Sequence, residues 1–166
     1  MKRIVASLPT LCGALLAAAV VGLAAFGGVG YWNHVELTGQ QQTAAALPDL
    51  AKDAIPKILG YDFQSIERTS TEALKLMTPE FRKRYEQKTA ENHIFDNARQ
   101  RQVISQVNIV GVGMLSSQRD SGSVLAFVNR IVTDKSKQPQ YEGSRLKVEY
   151  QKIGDQWLIS EMTPIF

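Results

Sequence analysis

The stretch SRLKVEYQKIGDQWLIS, residues 144–160, decides the fold. Leu146, Val148 and Tyr150 alternate with Lys147 and Glu149, so one face is apolar and the other charged, as in a half-buried strand. Gly154-Asp155 breaks the alternation as a hairpin turn, and residues 157–162 form the returning strand. Two antiparallel strands therefore close the sequence. Trp157, just past the turn, either lines a pocket or closes the last strand against a helix as a core aromatic.

Upstream, residues 103–115 and 123–133 show the same β-branched and aromatic bias with partial alternation. Gly111 and Gly113 predict a bend or bulge in the first of these strands. Asp120-Ser121-Gly122 predicts the turn between them, and residues 134–144 read as a longer polar loop. Before residue 103 the period is helical. Within residues 77–103, Thr78 caps, Pro79 takes the first helical position and Glu80 faces the positive end of the dipole. Phe81 and Tyr85 share one face, and Thr89 to Asn92 marks a break. Residues 61–77 predict a turn and a short helix with Phe63, Ile66 and Leu74 inward. Pro48 starts an earlier helix carrying Leu50, Ala54, Ile58 and Leu59, which Pro56 should kink or shorten and Gly60 should stop. About three helices followed by four antiparallel strands make an α+β layer, a curved four-stranded sheet with its apolar face on the helices.

Ahead of this domain, residues 8–32 (LPTLCGALLAAAVVGLAAFGGVGYW) carry no charged side chain. A helix needs about 20 apolar residues to cross a bilayer, and Tyr31-Trp32 suits the membrane interface. Lys2 and Arg3 precede the span, which predicts a cytoplasmic amino terminus and an extracytoplasmic remainder. The expected organisation is a short cytoplasmic tail over 1–7, a single transmembrane helix over 8–32, a helical stalk over 33–46 and an outer domain over 47–166. A cleaved secretory signal shares the basic start and apolar middle, but its apolar region is usually only about 7–15 residues. Span length favours the retained anchor. Ala14, Ala18 and Gly22 recur every four residues. They form a candidate packing face for a second span, although an Ala/Gly-rich segment also produces such spacing by chance.

Composition narrows the function. Lys2 and Arg3 supply two of the three net positive charges, so the basic balance is no argument for nucleic acid. The one cysteine, Cys12, lies in the span, leaving the outer domain without a disulfide. Two histidines, His34 and His93, far apart and without companion cysteines, are too few for a tetrahedral zinc site. No Gly-x-Ser-x-Gly elbow and no Gly-rich phosphate loop occurs. Arg82, Lys83, Arg84 and Lys88 read as a solvated helix face, given neighbouring Glu80 and Glu86. Asp62 reads as a local turn cap. Tyr61, Asp62, Tyr85 and Trp157 are the candidate pocket-lining residues, with His93 a further polar group that a ligand-binding cone would point inward. No catalytic, cofactor-binding or metal-binding residue is assigned.

The sequence also resembles the Mce-associated membrane proteins, accessory subunits of actinobacterial lipid-importing systems, along nearly its whole length. The carriers are ILGYDFQSIE (58–67), LMTPEFRKRY (76–85), SVLAFVNRIV (123–132) and the closing SRLKVEYQKIGDQWLIS. Thr78 is followed here by Pro79-Glu80-Phe81, where that family often has Thr-Gly before an aromatic residue, and the tail before the span is short. The resemblance implies an NTF2-like, cystatin-like cone and a non-enzymatic accessory role in lipid import, without a cofactor. Implied partners are membrane-embedded and extracytoplasmic subunits, membrane lipid and a homo-oligomer. Two alternatives share the architecture: a scaffold of a type IV-like secretion or conjugation system, and an NTF2-like enzyme or binder of a small hydrophobic ligand.

Overall fold

The computed structural model describes residues 35–165. The expected span over 8–32, including Ala14, Ala18 and Gly22, lies outside them, as does the tail before it. No helix among the described residues is long and apolar enough to cross a membrane. Of the described residues, those from Gly39 onward form one compact unit, and those up to Thr38 belong to another.

Residues 35–59 are helical (α1). There follow β1 (Tyr61–Asp62), α2 (Ile66–Leu74), α3 (Pro79–Glu91) and α4 (Ile94–Arg101). Four long strands complete the chain: β2 (Ile104–Ser117), β3 (Ser121–Thr133), β4 (Gln140–Ile153) and β5 (Gln156–Ile165). The strands make one antiparallel sheet in the order β1-β2-β3-β4-β5. The expected four-stranded sheet therefore has a fifth member, the two-residue β1, which pairs with Ser105 and Ile104 at the start of β2. Nothing in Tyr61-Asp62 alone signals a strand, because only the partner makes it one. The expected three helices become four, since the break foreseen at Thr89 to Asn92 separates α3 from α4.

Helix α1 supplies one side of the core. Leu47, Ala51, Ala54, Ile55 and Ile58 are buried at helical spacing. They pack on Val124, Ala126, Val128, Leu146, Val148, Tyr150 and Ile159, the inward phase of β3, β4 and β5. The helix runs unbroken through Pro48 and Pro56, so it does not start at Pro48 as expected. Two interior prolines cost about 6 kcal/mol together; burying Leu47, Ile55 and Ile58, at roughly 1.5–3 kcal/mol each, returns a sum of that size, and the buried Ala51 and Ala54 add to it. Thr43, in the expected stalk, is buried as well, and its hydroxyl donates to the Arg119 carbonyl at 3.2 Å. Gly60 closes the helix as expected: a Cβ there would meet the Pro56 carbonyl oxygen at 2.5 Å.

Thr78 caps α3 by accepting from the Phe81 N–H at 3.3 Å, with Pro79 at the first position. The segment before the cap docks on the sheet, since Thr78 N–H donates to the Ile159 carbonyl and Ile159 N–H to the Leu76 carbonyl. Gly154 turns β4 into β5 at φ 61°, the left-handed conformation glycine adopts without steric cost. Gly122, expected in a turn, lies in β3 against Leu47 and Thr43. Register shifts near Val110 and Leu115 put two bulges in β2, and bulges bend the strand that carries them. Strand β4 begins inside the expected polar loop because Val132 and Ile131 pair with Gln140 and Tyr141.

Candidate functional site

Helices α2, α3 and α4 enclose a cleft of about 350 Å³. Leu74, Tyr85 and Phe95 form its apolar wall; His93, Asp96 and Arg99 line its polar side. Arg99 sits one turn after Asp96 on α4 and pairs with it at 3.2 Å. The same guanidinium reaches Glu67 on α2, so one cation ties two helices together and is neutralised in doing so. A backbone hydrogen bond and the Arg99 side chain hold the Glu67 carboxyl below the usual carboxylate range. His93 enters α4 in the left-handed region, at φ 49° and ψ 37°. Its Nδ1 lies 3.7 Å from Asp96 Oδ2, too far for a hydrogen bond.

Tyr85 is the wall between this cleft and a smaller gap lined by Tyr61, Ile66 and Ala73. That gap measures about 10 Å³, no more than one water molecule requires. Tyr61 and Tyr85 are thus brought together, but around closely packed side chains. Burial pushes the Tyr85 phenol up and the neighbouring Tyr61 adds to the shift, against a hydrogen bond with Thr89. Such a phenol stays neutral near pH 7 and serves as a donor; its oxygen lies 3.5 Å from the Ile58 carbonyl. Asp62 caps its turn, Oδ1 accepting from the Gln64 N–H at 2.8 Å and its carbonyl from Ser65 N–H at 3.0 Å. Trp157 packs, half-buried, against the main core from β5. Of the four candidate pocket residues, then, only Tyr85 faces the cleft, and His93 joins it there. The cleft's one serine, Ser70, has no hydrogen bond to His93 among the described residues. Nor do three His, Cys, Asp or Glu side chains among them converge to hold a metal ion.

The basic run on α3 is partly tied down. Arg82 donates to the Leu74 carbonyl at 2.9 Å and Arg84 pairs with Glu161 at 2.7 Å.

The outer face of the sheet presents a different surface. Gly111, Phe127, Arg145 and Ile165 form one row across β2 to β5, and Ile131 and Tyr141 pair four residues along. Phe127 is 45% exposed, Val110 67% and Tyr141 75%. A hollow of about 380 Å³ opens among Val110, Phe127, Asn129, Gly143 and Arg145. Sequence reasoning, which gave each strand one apolar face, missed this surface. The signal was present in SVLAFVNRIV: Val124, Ala126 and Val128 occupy one phase, Leu125, Phe127 and Ile131 the other, as in strands covered on both faces.

Comparison with known proteins places this geometry. The family model described as "Uncharacterized protein Rv1363c/MT1408-like" matches residues 8–164. Protein Rv1363c of Mycobacterium tuberculosis is 28% identical over 165 residues, 97% of this chain and 62% of that protein. The chain therefore spans about three fifths of that relative's length. Outer membrane protein Rv1973 of the same organism is 27% identical over 115 residues, 69% of this chain and 71% of that one. Among solved structures, an IcmL-like type IV secretion system protein from Legionella pneumophila superposes with a TM-score of 0.62 at 11% identity, covering 74% of this chain and 93% of that chain. CagV, a VirB8 homolog of the Helicobacter pylori type IV secretion system, superposes at 0.56 and 11% identity, covering 72% and 96%. These likenesses show a shared NTF2-like α+β fold.

Proposed function

The chain belongs to the Rv1363c/MT1408-like family, and on that footing we propose that it is a non-enzymatic assembly subunit of a multi-protein cell-envelope machine. The observation that carries this reading is the two-faced sheet. One face is covered by α1, while the other leaves Val110, Phe127 and Tyr141 exposed. An exposed apolar patch of this kind marks an interaction surface more often than a reaction centre. Residues 8–32 anchor the chain by a single span, with the amino terminus cytoplasmic and the domain outside. The relatives named outer membrane proteins support an envelope address.

Two machines fit. The fold held in common with the IcmL-like protein and CagV favours a scaffold of a type IV-like secretion or conjugation system. The motifs ILGYDFQSIE and LMTPEFRKRY favour an accessory subunit of an Mce-type lipid importer instead. Affinity purification of the full chain from its native membranes in mild detergent, with chemical cross-linking, tests the proposal. Stable co-purification with envelope subunits is the expected result, and their identity separates channel components from lipid-importer subunits. Recovery of a lone monomer overturns the proposal.

A further inference from the structure

Charges along the outer phase of β4 are not alike. Lys147 and Glu149 neutralise each other at 2.7 Å. Arg130 and Glu142 pair on the other phase, and Glu161 is held by Arg84. The side chain of Arg145, in the middle of the row Gly111, Phe127, Arg145, Ile165, has no hydrogen bond or ion pair among the described residues. An unpaired guanidinium at the rim of an apolar hollow presents five donors suited to a carboxylate, beside surface suited to an aliphatic or aromatic side chain.

We propose that the hollow around Val110, Phe127 and Arg145 docks an extended segment of a partner protein that carries an acidic side chain next to an apolar one. The carboxylate meets Arg145 and the apolar group meets Phe127 and Val110. The floor allows a main chain to lie close, because Gly143 contributes no side chain there, and on β2 Gly111 and Gly113 add none opposite Phe127 and Leu125. A Cβ at Gly111 or Gly113 would meet nothing within 4 Å, and one at Gly143 only Asn129 Oδ1 at 3.6 Å. None of the three has a positive φ. The fold thus tolerates larger residues at these positions, so filling them tests docking without breaking the domain.

This inference rests on the assembly reading above, and the two fail separately. Random linear peptides displayed on phage are selected against the full chain in mild detergent, and enriched sequences are remade as synthetic peptides. Enrichment of Asp or Glu beside an aliphatic or aromatic residue is expected. Affinity should fall about tenfold or more for Arg145→Glu and for Gly143→Val, while Arg145→Lys retains most of it. Both disruptive variants should unfold at or above the wild-type temperature. Peptides lacking an acidic residue, binding indifferent to both variants, or no enrichment overturns the proposal. So does a wild-type dimer that Gly143→Val converts to monomer, which gives the face to a second copy. If partners co-purify equally with wild type, Arg145→Glu and Gly143→Val, the docking site is refuted and the assembly reading survives. If the wild type purifies alone, the assembly reading falls while the peptide selection still judges the site.

Discussion

Replacing Tyr150 by phenylalanine should stabilise the domain. Tyr150 is 3% exposed, on β4 between Gly122 of β3 and Ile159 of β5. Its hydroxyl is buried without a hydrogen-bond partner among the described residues. A buried hydroxyl left unpaired costs about 1–3 kcal/mol in desolvation. Phenylalanine keeps the ring and removes that cost, leaving a void worth only a few tenths of a kcal/mol. A net gain of about 1 kcal/mol follows, or a rise in midpoint of roughly 3–5 °C for a domain of this size. Urea unfolding at unchanged m-value measures it directly. The alkaline limb gives a second readout. Burial pushes the Tyr150 phenol above its ordinary value of 10.0 in the folded chain. The unfolded chain therefore loses this proton first, and stability falls as pH rises above 10 by about 1.4 kcal/mol per pH unit for this group. Tyr85 is shifted in the same direction, so Tyr150→Phe should reduce the alkaline slope without abolishing it. A variant less stable than wild type would refute the reasoning by showing the hydroxyl bonded in solution, and an unaltered alkaline slope would refute it by showing the phenol hydrated.

Further substitutions probe other parts of the fold. Gly122→Ala drives a Cβ to 2.6 Å from Leu47 Cδ1 and 3.0 Å from the Ser116 carbonyl oxygen; because Leu47 is fully buried, it should lose about 1–3 kcal/mol by denaturant unfolding, whereas Gly113→Ala should lose nothing. His93→Gly removes a left-handed non-glycine residue whose side chain makes no cap hydrogen bond. It should raise stability by up to ~1 kcal/mol, and a loss would mean that the exposed contact with Asp96 matters more than the strain. Asp134 is held below its ordinary 3.8 by hydrogen bonds from Ser136 and Arg101. Its contribution is complete above that pH and lost as pH falls below it, so Asp134→Asn should flatten the acid limb there; an acid limb as steep as wild type would sink this.

Local chemistry made most of the fold legible. Thr78-Pro79 and Gly154-Asp155 were readable because a cap and a tight turn are set by a few neighbouring residues. Pro48, Pro56 and Tyr61-Asp62 were misjudged because their state is decided elsewhere. Sheet burial carries α1 through two prolines, and Ser105 makes Tyr61 a strand residue. The candidate site was legible only in part. Tyr85 and His93 reach one cleft because α3 and α4 fold back on α2, a tertiary fact with no sequence period. Asp62 ends β1 and yet makes the local cap its sequence suggests, since its partners Gln64 and Ser65 are its neighbours.

The edges and the outer face of the sheet are treated differently, and that difference bears on docking. An open strand edge invites indiscriminate pairing, and proteins blunt it with bulges, short strands or covering segments. Here β2 carries bulges near Val110 and Leu115 and is capped at its start by β1. On the far side β5 is engaged by the segment before α3 through the Met77–Ile159 bridge and the hydrogen bonds of Leu76 and Thr78. Both edges are guarded, yet the face between them keeps Phe127, Tyr141 and Arg145, whose side chain is unpaired among the described residues, in solvent. If solubility alone shaped this surface, Phe127 and Tyr141 would be the first positions to become polar, since neither is needed to fill the core. Their exposure beside Arg145 fits a face shaped by a partner. Phe127→Ser should therefore leave unfolding within about 0.5 kcal/mol of wild type, as surface changes do, while weakening partner capture. A large loss of stability would instead make Phe127 a structural residue and remove its claim on a partner.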